Sequence, residues 1–520
     1  MTTSSLDFAL RTNQYPMEPM ECLMKESSLN ASSKKAPPHS SVVIIGSGFS
    51  GLGMAINLKR QGFEDFVVLE RASDVGGVWR DNLYPGCACD VESYLYSFSF
   101  APNPHWTRTF SPQNEIWDYL RDCAKRFDVL KNIRFQEELV KASWDEQAQH
   151  WAVETSKGLL TTNILISGTG AFSEPLIPSF PGFKNFKGAS FHSSSWNHDF
   201  DLTGKKVAVI GTGASAIQFI PKIQPQVSQL TVYQRTPPWI MPKADRPIKA
   251  EEKARFERMP ILQKAARLLI YGWRETYGTT FRHPKLMGFG KDMALHHMHK
   301  RIKDPALIEK LTPTYQIGCK RILLSNDYYP ALAKPNVDVI TDSIEDITAT
   351  GIVTKDGKHQ EFDAIIWGTG FKVTDFAIAH RIHGRDGQSL SAQWKGSASA
   401  FLGTSIPGFP NFFTLLGPNT GLGHSSVILM IEAQIELVME SIAYIRKNKF
   451  AAIEPKPERE LAFIKELDRR SAGTVWVLGG CQSWYLDSKG RNSTLWPGSI
   501  GAFKRRILPF KKNEYNIKKA

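Results

Sequence analysis

The apolar stretch Ser41–Ile45 ends in a turn of small residues. Apolar positions then recur at a helical period, and a second apolar stretch closes on Glu70. The segment SVVIIGSGFSGLGMAINLKRQGFEDFVVLE therefore predicts strand, turn, helix and strand. Its turn reads Gly46-x-Gly48-x-x-Gly51, and Glu70 follows nineteen residues after the last glycine. That combination predicts a dinucleotide-binding unit: Gly46 allows a tight turn, Gly48 lets a pyrophosphate approach, and Gly51 lets helix and strand pack closely. The helix N-terminus, beginning near Phe49, faces the phosphates.

The same pattern returns in KKVAVIGTGASAIQFIPKIQPQVSQLTVYQR. Gly211, Thr212, Gly213, Ser215 and Ala216 make the second turn, and Arg235 stands where Glu70 stood. A carboxylate suits a free ribose, whereas an Arg fork pairs with a 2′-phosphate. The first unit is expected to hold FAD and the second NADPH, with Thr236 beside Arg235. A further buried strand, FDAIIWGTGF at 362–371, is expected to return the chain to the first unit. The fold class expected is α/β, with two Rossmann-like domains and a helical insertion. The FAD domain takes residues 41–180 and 345–500, and the NADP domain 185–242 and 316–344. Crossings are expected near 175–190 and 340–375. Residues 243–315 are basic, with Ile261, Leu262, Ala265, Leu268 and Leu269 at helical spacing. They read either as a cover for a sheet or as a lid or substrate channel.

Composition narrows the classes. The 520 residues are 42% hydrophobic and 22% charged, an ordinary globular balance. No run of about 18 apolar residues suggests a membrane-spanning helix. Residues 1–40 lack a signal-peptide apolar stretch and read as a disordered extension. Six cysteines are too few and scattered for a disulfide framework, which fits a reduced, cytoplasmic setting. His296, His297 and His299 lie too close for a facial triad, and no metal site is expected. The net charge of +13 comes with no nucleic-acid recognition motif. Phosphate-bearing cofactors or an acidic membrane surface are the other takers. The tail 501–520 is basic, with apolar Phe503, Ile507, Leu508 and Phe510. It could touch a membrane surface weakly, but reads better as a floppy tail.

Two nucleotide units admit several enzymes. A disulfide reductase needs a redox cysteine pair, and Cys87-Ala88-Cys89 is a poor one. The stretch Gly76-Gly77-x-Trp79-x₄-Tyr84-Pro85-Gly86-x₃-Asp90 resembles an extended motif of type I Baeyer–Villiger monooxygenases. FKGASFHSSSWN resembles that family's fingerprint at Phe186, Gly188, His192 and Trp196, with Asn197 where Pro or Asp is usual. The resemblance spans roughly 40–500. It implies an FAD- and NADPH-dependent enzyme that uses dioxygen, through a flavin peroxide, to turn a small apolar ketone into an ester or lactone. Sulfur or nitrogen oxidation is the alternative.

The resemblance also assigns roles. Arg321, in QIGCKRILLSNDYY, matches the active-site cation, and Asp90 the acid that positions it. Lys320 joins Arg235 at the 2′-phosphate. The Tyr84-Pro85-Gly86 corner turns the chain under the flavin, and Trp79 packs near its ring. Gly77, Val78, Val91, Tyr96 and Val140 complete the implied cofactor contacts. Trp484 closes over the nicotinamide ribose, in a loop that Asn492 orders. His192 links the domains rather than acting as a base. Backbone amides near Asn419–His424 meet the flavin's pyrimidine edge.

Overall fold

The computed structural model describes residues 37–519. The disordered extension expected over 1–40 falls mostly outside them, although His39 and Ser40 already belong to the first strand.

That strand, His39–Ile45, is buried along its core and pairs in parallel with Phe66–Glu70 on one side and Gly158–Ser167 on the other. Strands buried on both faces read as continuous apolar runs, which explains VVII and FVVLE. The sheet continues through Ile133–Phe135 on one edge and through Leu139–Asp145 and His150–Thr155, added antiparallel, on the other. The helix Phe49–Arg60 packs against the apolar helix Ile428–Asn448, so the C-terminal half completes the first lobe's core.

The second lobe is an all-parallel sheet of five strands, in the order Val337–Ile340, Gln229–Tyr233, Lys206–Ile210, Ala364–Trp367 and Ala189–His192. The two sheets bear out the two-domain α/β class. Ala364–Trp367 corrects one expectation, because it belongs to this second sheet rather than returning to the first. All four of its residues are buried, as a central parallel strand requires. The three short antiparallel strands at 344–361 also come before the return. The two crossings run side by side, with Leu176 N donating to Gly370 O (2.8 Å) and Lys372 N to Glu174 O (3.0 Å).

The insertion is helical, over Ala250–Arg258, Pro260–Arg282, Gly288–Arg301 and Pro305–Leu311. The tail is not floppy. Helix Ile500–Ile507 buries Phe503 and Ile507, and Tyr515–Lys519 pairs antiparallel with Phe450–Pro455. Apolar residues at 500, 503 and 507 make one helical stripe, which the basic charge masked. The cysteine reading is corrected as well: Cys319 and Cys481, 162 residues apart, are joined by a disulfide.

Candidate active site

Gly51 in the first nucleotide loop and Gly211 in the second are required by contact. A Cβ on Gly51 would lie 1.9 Å from Gly46 O, and one on Gly211 would lie 2.5 Å from Gly368 O. Gly168 sits under the first loop as Gly368 sits under the second: a Cβ on Gly168 would come within 2.7 Å of Gly51 N. The sequences Ser167-Gly168-Thr169-Gly170 and Trp367-Gly368-Thr369-Gly370 are thus twin floors, one per lobe.

A long cavity opens from the first loop. Gly46, Gly48 and Phe49 line it together with Gly77, Val78, Trp79 and Tyr96. Arg321 and Trp484 form its wall beside Gly417, Pro418 and the start of the helix at Ile428. Gly48 and Gly77 face each other so closely that a Cβ on Gly77 would lie 3.1 Å from Gly48 Cα. A channel floored by bare backbone fits a flavin dinucleotide, whose pyrophosphate needs close amide donors beside a helix N-terminus.

Glu70 lines this cavity but is already engaged. It accepts from the Ser47 amide (3.0 Å) and hydroxyl (2.7 Å) and from the Ala72 amide (2.9 Å), and it pairs with Arg80 at 3.0 Å. It ties the glycine loop to the strand end. Trp79 Nε1 donates to the Tyr96 hydroxyl at 3.1 Å, which fixes the indole in the wall. Val91 is buried outside the lining. Val140 is 47% exposed and outside the lining, while its neighbour Leu139 is part of it. Adjacent strand residues face opposite sides, so a one-residue shift exchanges inside for outside.

Asp90 and Arg321 meet. Arg321 Nε and an Nη donate to one Asp90 carboxylate oxygen at 3.0 and 2.6 Å. The Asp90 charge pushes the Arg321 pKa further above its ordinary range, outweighing burial. Burial opposes ionisation of Asp90, but Arg321 and then Arg274 and Lys243 outweigh it and hold the carboxyl below its ordinary 3.8. Arg274 and Lys243 come from the insertion, and the sequence reading had not singled them out. Arg274 donates to Glu92 at 2.8 Å and to the Asp90 carbonyl at 3.1 Å. The insertion therefore shapes the Asp90 environment as well as covering the fold.

The Tyr84-Pro85-Gly86 corner is also corrected. It does not line the cavity but grips the second lobe: Tyr84 donates to Gln218 Oε1 at 3.0 Å, and Gln218 Nε2 donates back to Ala88 O at 2.9 Å. Around the second loop, Arg235 is exposed and has no carboxylate partner among the described residues. Burial, then the nearby charge of Arg235, lowers the Lys320 pKa below 10.5. Two cations held together without a counter-ion fit a phosphate. Thr236 is half-buried beside them, while Thr212, Gly213 and Ser215 stand in the turn before the helix that Ala216 begins.

In the fingerprint, a Cβ on Gly188 would meet Asp363 O at 2.5 Å, and Phe186 packs beneath the second sheet. Trp196 lies against Phe191 and Phe219. His192 ends the edge strand against Phe371 at the crossing. Ser194 N donates to its Nδ1 at 3.1 Å and burial lowers its pKa, so it is a neutral, hydrogen-bonded joint. Trp484 stands edge-on to Phe172 at 5.8 Å. Asn492 accepts from Leu495 N (2.9 Å) and donates to Leu495 O (3.0 Å), which orders that loop. Asn419 is buried by its own bonds to the same loop, and Gly421 and Leu422 reach the cavity instead.

Residues 39–381 match the flavin-binding monooxygenase-like family. A Baeyer–Villiger monooxygenase of Streptomyces coelicolor is 50% identical, covering 92% of this chain and 93% of that one. Another of that name from Pseudomonas aeruginosa is 47% identical, covering 93% and 92%. Among solved structures, cyclohexanone monooxygenase from Rhodococcus sp. Phi1 bound to NADP⁺ superposes with a TM-score of 0.82 at 28% identity, covering 93% of this chain and all of that one. The chain belongs to the flavin-binding monooxygenase-like family, in its type I Baeyer–Villiger class.

Proposed function

We propose that this chain uses NADPH and dioxygen to insert one oxygen beside the carbonyl of a small apolar ketone, giving an ester or lactone. FAD supplies the oxygen activation when bound, and NADPH the reducing electrons. The glycine-floored channel would hold FAD through Gly46, Gly48, Gly77 and the amides near Gly421. Arg235, Lys320 and Thr236 would hold the 2′-phosphate of NADPH, and Trp484 would shield its ribose.

The observation that carries the reading is Arg321 at the cavity wall, held from behind by its pair with Asp90. Arg321 keeps its charge at any working pH, so it can stabilise negative charge that develops at the reacting oxygen atoms. Asp90 fixes the guanidinium so that little reorganisation is needed during reaction. Trp79, Tyr96, Phe49 and Leu422 make the surrounding wall largely apolar, which excludes water and suits an apolar ketone. No helix among the described residues is long and apolar enough to cross a membrane. A cytoplasmic location belongs to the same proposal, since the reaction draws on NADPH.

The test is aerobic NADPH consumption by the flavin-loaded enzyme with a panel of ketones and thioethers, quantifying esters, sulfoxides and hydrogen peroxide together. Ester formation that accounts for most of the NADPH supports the reading. Sulfoxides or hydrogen peroxide in place of esters would overturn it.

A further inference from the structure

The helix Pro260–Arg282 carries large apolar side chains on its outer face. Its inner side packs Ile270, Tyr271 and Phe281 on the core but is otherwise polar and bonded to the body of the protein: Gln263 donates to Asn103 O (2.7 Å), Arg267 to the carbonyls of Tyr94 and Leu95 (3.0 Å each), and Arg274 to Glu92 (2.8 Å). Glu275 accepts from the Ile500 amide at 3.2 Å. Its outer side is apolar. Ile261, Leu268, Leu269 and Trp273 are 66, 67, 75 and 60% exposed, and Tyr277 is 38% exposed. At about 100° per residue these five share roughly half the helix circumference. Ala265, Gly272 and Thr276 lie between them, and no charged residue does. Met259 before the helix and Leu286 and Phe289 after it are also exposed, at 50, 57 and 76%. A surface helix ordinarily presents the opposite arrangement, and an apolar patch this continuous marks an interaction surface.

Charge selects the occupant. Residues 243–303 hold 15 Lys and Arg against 6 Asp and Glu, a local excess of nine in a chain of net charge +13. Arg255, Arg258, Lys264, Lys285 and Lys291 are exposed on or beside this helix. Two copies joined through this face would bring like charges together. An anionic bilayer offers the complementary charge and an apolar layer at the depth that Leu and Trp side chains reach. We infer that the outer face of the helix Pro260–Arg282 docks on an anionic lipid surface. The basic tail cannot do this, because its Phe503 and Ile507 are buried in the first lobe.

The full-length, flavin-loaded enzyme should co-float with vesicles containing phosphatidylglycerol, bind pure phosphatidylcholine vesicles far less, and be released by high salt. The double variant Leu268→Glu/Trp273→Glu should keep its flavin content and melting temperature yet bind roughly tenfold less or weaker. The neutral pair Leu268→Ser/Trp273→Ser should lose most of the binding too, which separates lost apolar contact from added charge repulsion. No binding of the parent enzyme, or equal binding by both variants, would overturn the inference. So would a dimer that these substitutions disperse while vesicles are ignored, which would assign the face to a second copy.

Discussion

Asp90 faces three cations and stays ionised below its ordinary pKa. A lowered carboxylate pKa stabilises the fold above the unfolded value of 3.8, and that stability is lost only as pH falls through the lower folded value. Between pH 5 and 8 neither Asp90 nor Arg321 changes charge, so no acid limb of the ester-forming rate in that range should vanish in Asp90→Asn. A limb that disappears in this variant would contradict the assignment. Lys320 behaves in the opposite sense, because its phosphate contact exists below its own pKa, which lies under 10.5. The KM for NADPH should rise as pH climbs toward 10, and Lys320→Arg should flatten that rise. Arg235→Ala should raise the KM for NADPH by about 10- to 100-fold while leaving NADH nearly unchanged; steady-state kinetics with both nucleotides decides this. At this scale, Asp90 and Arg321 were legible because the segments that carry them resemble those of the Baeyer–Villiger family. Arg274 was not, since an Arg in a basic helical stretch carries no signal until the fold brings it to Asp90. Val140 stands one residue of strand register from Leu139, which lines the cavity.

At the scale of elements, the first nucleotide loop tolerates no added atom at Gly51, where helix meets strand. Gly51→Val should purify colourless and resist loading with FAD, because even one Cβ would lie 1.9 Å from Gly46 O. Flavin absorbance after incubation with excess FAD is the measurement, and a yellow, fully loaded variant would refute the contact. The disulfide joins the segment carrying Lys320 and Arg321 to the loop carrying Trp484. Alkylation of the unfolded protein without reductant should label two fewer thiols than with it, and peptide mapping should recover the 319–481 pair. Cysteine count alone cannot show a lone crosslink between positions so far apart. The strand at 364–367 shows the limit of local reading. Its apolar run and Gly-Thr-Gly were clear, but the sheet it joined was not. The cue lay in the twin Gly-Thr-Gly at 168–170, which marks the last strand of a nucleotide unit rather than the entry to the next.

The molecule as a whole is two nucleotide lobes joined by a pair of adjacent crossings, with a helical insertion leaning on the Asp90 segment. The duplicated glycine loops made that plan readable in advance, because each needs a strand before it and a helix after it. The ordered tail was hidden by its charge, and the cavity by its origin in many separated stretches of chain, from Ile45 to Leu495. What unites the molecule chemically is one guanidinium, placed from the second lobe against a carboxylate of the first at the wall of the glycine-floored cavity. The most direct test is a single-turnover comparison of the parent enzyme with Arg321→Ala, following flavin bleaching by NADPH without oxygen and ester yield once oxygen is admitted with a ketone. The account predicts bleaching within a few-fold of the parent enzyme and an ester yield lower by about a hundredfold or more, the reducing electrons appearing as hydrogen peroxide. Undiminished ester from the Ala variant would contradict it.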